Sequence, residues 1–367
     1  MKEVFVTRTA LPPFEEFCDE IRPLWESHVL TNSGALHERF RERLESGLDC
    51  PHVVLFANGH LALEAALSAL RLPAGAEVVT TPFTFVSTVH AIVRCGLRPV
   101  FCDVLEEDGT LDPGRLEERV GPRTAAILPV HVFGNVCDVE RIGAVAERHS
   151  LKVLYDAAHA FGVRYRGVPA VRFGDAAVLS FHATKVFSTA EGGAVCCPDA
   201  SMVQALEDSR NFGIRDEEHC AAVGGNAKMN ELQAALGLCN LRRVGQEISA
   251  RQAHVAHYCA RLEGRPGLRR LAPRPGVEHN GAYFPLVFES KALRDAVCGR
   301  LRERGIRARK YFYPLVSDLE CYAGTPFAAG AGVPVARRLS DGVLCLPVYG
   351  ELDPDEVDRI CDGVLGI

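Results

Sequence analysis

Three short stretches carry side chains that could do chemistry together. The first is Asn58-Gly59-His60, between an apolar run, HVVLFA (52–57), and a helix-forming run, LALEAALSALRL. A helix N-terminus offers unpaired N–H groups and the positive end of the helix dipole, which together bind a phosphate. Gly59 lets backbone approach such a group closely, although the same turn also serves as a plain strand-to-helix connection. The second is Asp156, at the end of the apolar run LKVLYD. Ligands of open α/β sheets sit at strand C-termini, and a carboxylate buried there calls for a cationic partner. Its competing role is a helix N-cap. The third is Ser180-Phe181-His182-Ala183-Thr184-Lys185, with Glu191-Gly192-Gly193 downstream. A lysine just past a strand end in apolar surroundings loses basicity by desolvation. An amine that is neutral near pH 7 can form a Schiff base with an aldehyde. The competing role is a surface lysine snorkelling from a loop, but the twin glycines point to close packing against the backbone.

A phosphate cradle, a carboxylate for a ring nitrogen and an amine for an aldehyde are the three groups that pyridoxal 5′-phosphate (PLP) needs, and that cofactor carries the hard chemistry itself. The combination is far more specific than any one of its members.

The elements that position them alternate in type. Strands begin at 52, 77, 98, 124, 151 and 175. Helical runs such as FVSTVHAIVRCG and ERIGAVAERHS lie between them. Strands without polar alternation, joined by crossover helices, predict an α/β fold with a mostly parallel sheet buried on both faces. A long helix, MNELQAALGLCNLRRVGQEI, precedes a change of pattern near Ala250. Residues 1–250 therefore read as a large domain. Residues 251–367 read as a smaller α+β domain with strands AYFPLVFE and VLCLPVY, helix KALRDAVCGRLRERG, and a loop rich in Tyr and Phe. Gly324–Gly332 reads as a surface loop, and Trp25 as packing the N-terminal helix.

The sequence resembles the DegT/StrS-type sugar-nucleotide aminotransferases, a branch of the fold-type I PLP enzymes. The resemblance covers essentially the whole chain. It is carried by LTNSG (30–34), ANGHLALEAAL (57–67), TPFTFVST (81–88), LPVHVFGNVCDVE (128–140), YDAAHAFG (155–162), SFHATKVFSTAEGGA (180–194), NFG (211–213), NAKMNELQAALG (226–237) and ARKYFYPL (308–315). HVFGNVCDVE, SFHATKVF and RKYFYPL together resemble most the branch that aminates dTDP-4-dehydro-6-deoxyglucose at C4. The resemblance implies that Lys185 binds the cofactor aldehyde and shuttles the proton. Asp156 pairs with the pyridine nitrogen, and Phe85 stacks on the ring. Gly59, His60 and Ser180 fall on phosphate-binding positions. His159 sits near the ring oxygen, where many relatives have glutamine. Asn226 matches an asparagine that reaches the phosphate of a neighbouring subunit, which implies a homodimer with shared sites. Glutamate is the implied amino donor. Two positions depart from the pattern: His60 replaces a Thr or Ser, and Lys228 stands where many relatives have Arg. Related sugar dehydratases replace the lysine by histidine, so Lys185 favours amino transfer.

Other residues are open to two roles. Thr31 and Asn32 suit either a helix N-cap or the sugar. Arg309, Lys310 and Tyr311 suit a pyrophosphate or a solvated loop. His131 and His182 suit either site contacts or structural hydrogen bonds. The rival functions are amination at C3 of a sugar or of a cyclitol ketone, and a non-catalytic PLP-binding regulator of the same fold.

The chain has 367 residues, 47% hydrophobic and 24% charged, which excludes a disordered or fibrous protein. Lys+Arg 41 against Asp+Glu 47 gives −6, without the basic excess of a nucleic-acid binder. No uncharged apolar run reaches the ~18 residues of a membrane span, and the N-terminus has no apolar segment of a secretory signal. The 14 Cys are scattered, with no C-x-x-C spacing. They read as small buried hydrophobes in a reducing cytoplasm rather than a metal site.

Overall fold

The computed structural model describes residues 3–325, 327 and 332–367. Its centre is a seven-stranded sheet in the order His52–Phe56, Gly193–Cys197, Ala176–Ser180, Lys152–Asp156, Thr124–Ile127, Glu77–Thr80, Arg98–Phe101. Gly193–Cys197 runs antiparallel to both of its neighbours, and the pairings beyond them are parallel. Successive side chains of a strand point to opposite faces, and both faces here are covered. Val53 and Leu55 join one core with Phe40, Ile127, Leu179 and Ala194. Val54 and Phe56 join the other with Leu63, Val78, Leu154 and Val178. That double burial explains the unbroken apolar runs.

The Gly193–Cys197 strand has no counterpart in the strand pattern read from the sequence. It starts at the second of the twin glycines without a helix before it, so the strand–helix alternation does not announce it. Its register sets Gly193 opposite both Phe56 and Ser180. The 57–60 turn, Ser180 and Gly193 are thereby gathered at one end of the sheet, and Asp156 ends a parallel strand at the same edge.

The expected helix over 229–248 is two helices, Glu231–Leu241 and Val244–Leu262. The break falls at Arg242 and Arg243, both of which turn to pair with Glu16, at 2.7 and 2.8 Å. The second helix is 19 residues long and passes through position 250, so the change of pattern there is spanned by a continuous helix rather than a linker. Beyond it lies a three-stranded antiparallel sheet of Leu268–Arg270, Phe284–Phe288 and Val343–Leu346. Helices Lys291–Glu303 and Pro354–Leu365 pack on it around Phe284, Leu301, Leu344 and Ile360. The chain's first strand, Val4–Phe5, pairs in parallel with Ile306–Arg307, so residues from the N-terminus are built into this second unit.

Trp25 does not pack the N-terminal helix: it is 67% exposed on the short helix Leu24–Ser27. The Gly/Ala-rich stretch 324–332 lies mostly outside the described residues. The cysteines are free thiols, and among the described residues no group of His, Cys, Asp or Glu is placed to hold a metal. No described helix is long and apolar enough to cross a membrane.

Candidate active site

The Gly59–Ala69 helix starts where the His52–Phe56 strand ends. Asn58 caps it: the side-chain oxygen accepts from the Leu61 N–H at 2.9 Å. The Gly59 and His60 N–H groups are left without intrahelical partners, as the first N–H groups of any helix are. Gly59 is required by contact. A Cβ there would lie 2.9 Å from Ser180 Cβ, and one on Gly193 would lie 2.6 Å from the Gly59 nitrogen. Two glycines and a serine thus bring three backbones together beneath a positive helix end, the arrangement that binds a phosphate.

Asp156 closes the Lys152–Asp156 strand and is 5% exposed. Its Oδ2 accepts from the Thr88 hydroxyl at 2.7 Å and its Oδ1 from the Ala158 N–H at 3.0 Å. Thr84 and Thr88 hydroxyls are 2.9 Å apart, which extends the chain to the cavity wall. Burial pushes the carboxyl above its ordinary range, against the Thr88 and Ala158 hydrogen bonds and the charge of Lys185. Both hydrogen bonds come from neutral donors. The group is therefore a buried carboxylate suited to a further, cationic N–H.

Lys185 sits in the segment between the Ala176–Ser180 and Gly193–Cys197 strands. Phe181 and Phe187 hold that segment: they meet edge to face at 5.1 Å, and Phe187 stacks on Phe161 at 4.4 Å. Backbone bonds from Phe181 to Gly192, Thr189 to Phe181 and Lys185 to His182 fix its course. Gly192 is needed because a Cβ would lie 2.1 Å from Thr189 Oγ1. Burial lowers the Lys185 amine from 10.5 to about 8, with Asp156 acting the other way. The amine has no hydrogen-bond partner among the described residues.

These groups line one cavity of about 610 Å³. It takes in Gly59, His60, Phe85, Asp156, His159, Ser180, Lys185 and Tyr311 of the residues singled out from the sequence. Phe85, at the start of the Val86–Arg94 helix, is 56% exposed and offers a ring face. His159 Nδ1 accepts from the Phe133 N–H at 3.0 Å, so its proton is on Nε2. Burial and the charge of Lys185 hold its basicity far below normal, so the ring is neutral.

Other sequence candidates lie elsewhere. Asn226 is outside this chain's cavity, and its Oδ1 accepts from the Lys228 amine at 3.0 Å. Arg309 lines an adjoining hollow of about 400 Å³ that shares Thr84, Phe85, Tyr311 and Phe312 with the cavity. Asn32 is exposed in a turn with φ 64°, and the N-cap beyond it is Gly34, so neither Thr31 nor Asn32 caps that helix. His131 is below the site: it stacks on Tyr155 at 4.6 Å and its Nδ1 accepts from the Cys137 N–H. Burial lowers it to about 3. His182 lines the cavity, but its Nδ1 is engaged locally with Thr184 at 2.8 Å.

Sequence reasoning missed Thr88, Tyr283 and Phe312. Tyr283 lies 4.6 Å from His159, ring to ring, and Phe312 stacks nearly parallel to His159 at 6.1 Å. Both come from the C-terminal unit and line the cavity. Thr88 is four residues on from Thr84, one helical turn, a spacing visible in TFVST.

The donors fit PLP: unpaired N–H groups for a phosphate, a buried carboxylate for a ring N–H, an unpartnered amine for an aldehyde, and an aromatic face for the ring. Comparison with known proteins agrees. The chain matches the DegT/DnrJ/EryC1/StrS aminotransferase family over residues 14–365. It is 40% identical to a dTDP-4-amino-4,6-dideoxy-D-glucose transaminase of Shigella dysenteriae, covering 98% of this chain and 97% of that one. It is 38% identical to a protein of the same name from Escherichia coli, covering 100% and 99%. Among solved structures, DesI in the presence of its TDP-sugar product superposes with a TM-score of 0.91 at 32% identity, over 99% of this chain and 92% of that one. The chain belongs to the DegT/DnrJ/EryC1/StrS aminotransferase family, whose members work with PLP.

Proposed function

We propose that the protein moves an amino group from L-glutamate to C4 of a nucleotide-linked 4-keto-6-deoxysugar, dTDP-4-dehydro-6-deoxyglucose, in deoxyaminosugar biosynthesis. The observation that carries the chemistry is the Lys185 amine, lowered to about 8, in one cavity with the buried Asp156 carboxylate. When bound, PLP supplies an electron sink and a carrier for the amino group between two half-reactions. The chain's own groups do the rest. Gly59, His60 and Ser180 hold the phosphate. Asp156 keeps a proton on the ring nitrogen, and Thr88 fixes the orientation of the carboxylate. Phe85 covers one ring face, and His159 offers Nε2–H as a donor. Lys185, close enough to neutrality to act as a base near physiological pH, takes a proton from the donor carbon and returns one to the acceptor carbon. Tyr283 and Phe312 exclude water above it.

The choice of sugar and carbon rests on the two relatives named for that product, at 40% and 38% identity. Arg309 in the hollow beside the cavity supports a place for the pyrophosphate, and Tyr311, shared by both, a place near the sugar. Asn32 is assigned to the sugar as well. The position of Asn226 outside its own chain's cavity supports a homodimer in which it reaches the neighbour's phosphate; we place the enzyme in the cytoplasm.

The test is to incubate the protein with glutamate and a panel of dTDP-, UDP- and GDP-linked ketosugars and identify products by mass and NMR. The expected result is 2-oxoglutarate, a dTDP-sugar aminated at C4, and ping-pong kinetics. Amination at C3, or of none of the panel, overturns the assignment.

A further inference from the structure

The side-chain hydrogen bonds of His60, which lines the cavity, are not used by the reading above. His60 Nδ1 lies 2.8 Å from Ser87 Oγ, and its Nε2 lies 3.1 Å from Glu64 Oε1. Glu64 is in turn paired with Arg94. Ser87 lines the same cavity as Gly59 and Ser180. It stands in the first turn of the Val86–Arg94 helix, whose N-cap, Phe85, makes no side-chain capping bond. Two helix N-termini therefore meet at His60 and Ser87, and each favours negative charge.

The hydrogens can be arranged in two ways. With a neutral imidazole, Nε2–H donates to Glu64, and Nδ1 must accept, so it takes the Ser87 hydroxyl hydrogen. With a charged imidazole, Nδ1–H donates to Ser87 Oγ, and the hydroxyl hydrogen is free to point into the cavity. A serine hydroxyl has one hydrogen, so it cannot serve Nδ1 and an oxyanion together. The charged groups facing His60 are Glu64 from its own helix and Arg94 and His90 from the helix opposite. His90 is held below its ordinary basicity by burial, with His60 and Arg94 adding to the effect. Lys185, His182, Asp156, His159 and Glu191 also line the cavity.

Resting on the proposed PLP-dependent reading, we propose that Ser87 is a ligand of the cofactor phosphate and that His60 is the positioning residue that aims it, taking up a proton when the phosphate monoester binds. This arrangement adds a positive charge beside the phosphate, and it makes phosphate binding depend on proton supply.

The experiment is titration calorimetry of pyridoxamine 5′-phosphate into the full chain freed of cofactor, near neutral pH, in two buffers of different ionisation enthalpy. The wild-type chain is expected to take up a fraction of a proton. His60→Thr is expected to lose that uptake, which separates it from the phosphate's own titration. Ser87→Ala is expected to bind roughly tenfold more weakly, as for loss of a hydrogen bond to a charged group, and Ser87→Thr to restore binding. Pyridoxamine without the phosphate is expected to show no difference among the variants. Ser87→Ala binding within about twofold of wild type, or His60→Thr with undiminished proton uptake, overturns the proposal. If the wild-type chain neither binds the probe nor, once reloaded with PLP, releases 2-oxoglutarate from glutamate, the functional reading falls and takes this one with it; if it does both and only the variant differences are missing, this proposal alone falls.

Discussion

Lys185→Met in the cofactor-free protein tests the electrostatics of the site without any catalysis. The side chain keeps its length and loses its charge. Burial lowers the amine from 10.5 to about 8, which corresponds to about 3 kcal/mol of cost for holding the charge in the folded state. The side chain as a whole is half-buried, so solvent trims this to about 2 kcal/mol. The sign follows from proton counts. Below about 8 the amine is charged in both the folded and the unfolded chain, and the whole cost is present. Between about 8 and 10.5 the folded chain has released a proton that the unfolded chain still binds, so stability rises with pH. Above 10.5 the amine is neutral in both states and the cost is gone. Urea unfolding at fixed protein concentration, from neutral to alkaline pH, should show Lys185→Met more stable than wild type by about 2 kcal/mol at neutral pH. The two curves should converge above 10.5. A stability difference that does not change with pH, or a variant less stable than wild type throughout, refutes the reasoning, because either means that the amine is solvated in the fold.

The remaining predictions concern its neighbours. Thr88→Val removes the hydroxyl bonded at 2.7 Å to Asp156; leaving that buried carboxylate short of a donor should cost about 1–3 kcal/mol, move the acid limb of the kcat profile to higher pH, and be reversed by Thr88→Ser. Asp156→Asn should slow both half-reactions, measured separately by rapid mixing with glutamate and with ketosugar; unchanged rates would reduce the residue to a cap. Gly59→Ala places a Cβ 2.9 Å from Ser180 Cβ and 3.2 Å from its Cα, where backbone must give, so unfolding stability should fall by about 1–3 kcal/mol and cofactor affinity should fall with it.

How far the site could be read from the sequence depended on which forces place each group. Strand, turn and helix over 52–69 were legible because a strand buried on both faces is apolar at every position, and a Gly between it and a helix marks the turn. Asp156 and Lys185 were legible as polar groups at the ends of such strands. The Gly193–Cys197 strand was not, since it runs against its neighbours and has no crossover helix to frame it. The break at Arg242 and Arg243 was hidden because both are good helix formers; what ends the helix there coincides with ion pairs to Glu16, more than two hundred positions away in the chain. His131, which follows a strand end, was open to a site or a structural role; a stacked Tyr155 and the Cys137 N–H give it the structural one. Thr88 could have been found from its one-turn spacing to Thr84; its bond to Asp156 could not, since that pair is 68 residues apart.

Tyr283 and Phe312 raise a further point about where the chemistry of Lys185 comes from. The lysine, its strand and its loop all belong to the large sheet, but two of the rings that line the cavity arrive from the other unit. That unit is tied on by the helix Val244–Leu262, by the Val4–Phe5 pairing, and by the buried Arg251, whose guanidinium bonds the Val348 carbonyl at 2.9 Å and Glu247 at 2.6 Å. Desolvation is the first cause of the amine's lowered basicity, and desolvation depends on every wall of a cavity. The reactivity of position 185 is therefore set jointly by the motif that carries it and by packing far along the chain. A short motif such as SFHATK identifies the amine but leaves its strength as a base to the rest of the fold.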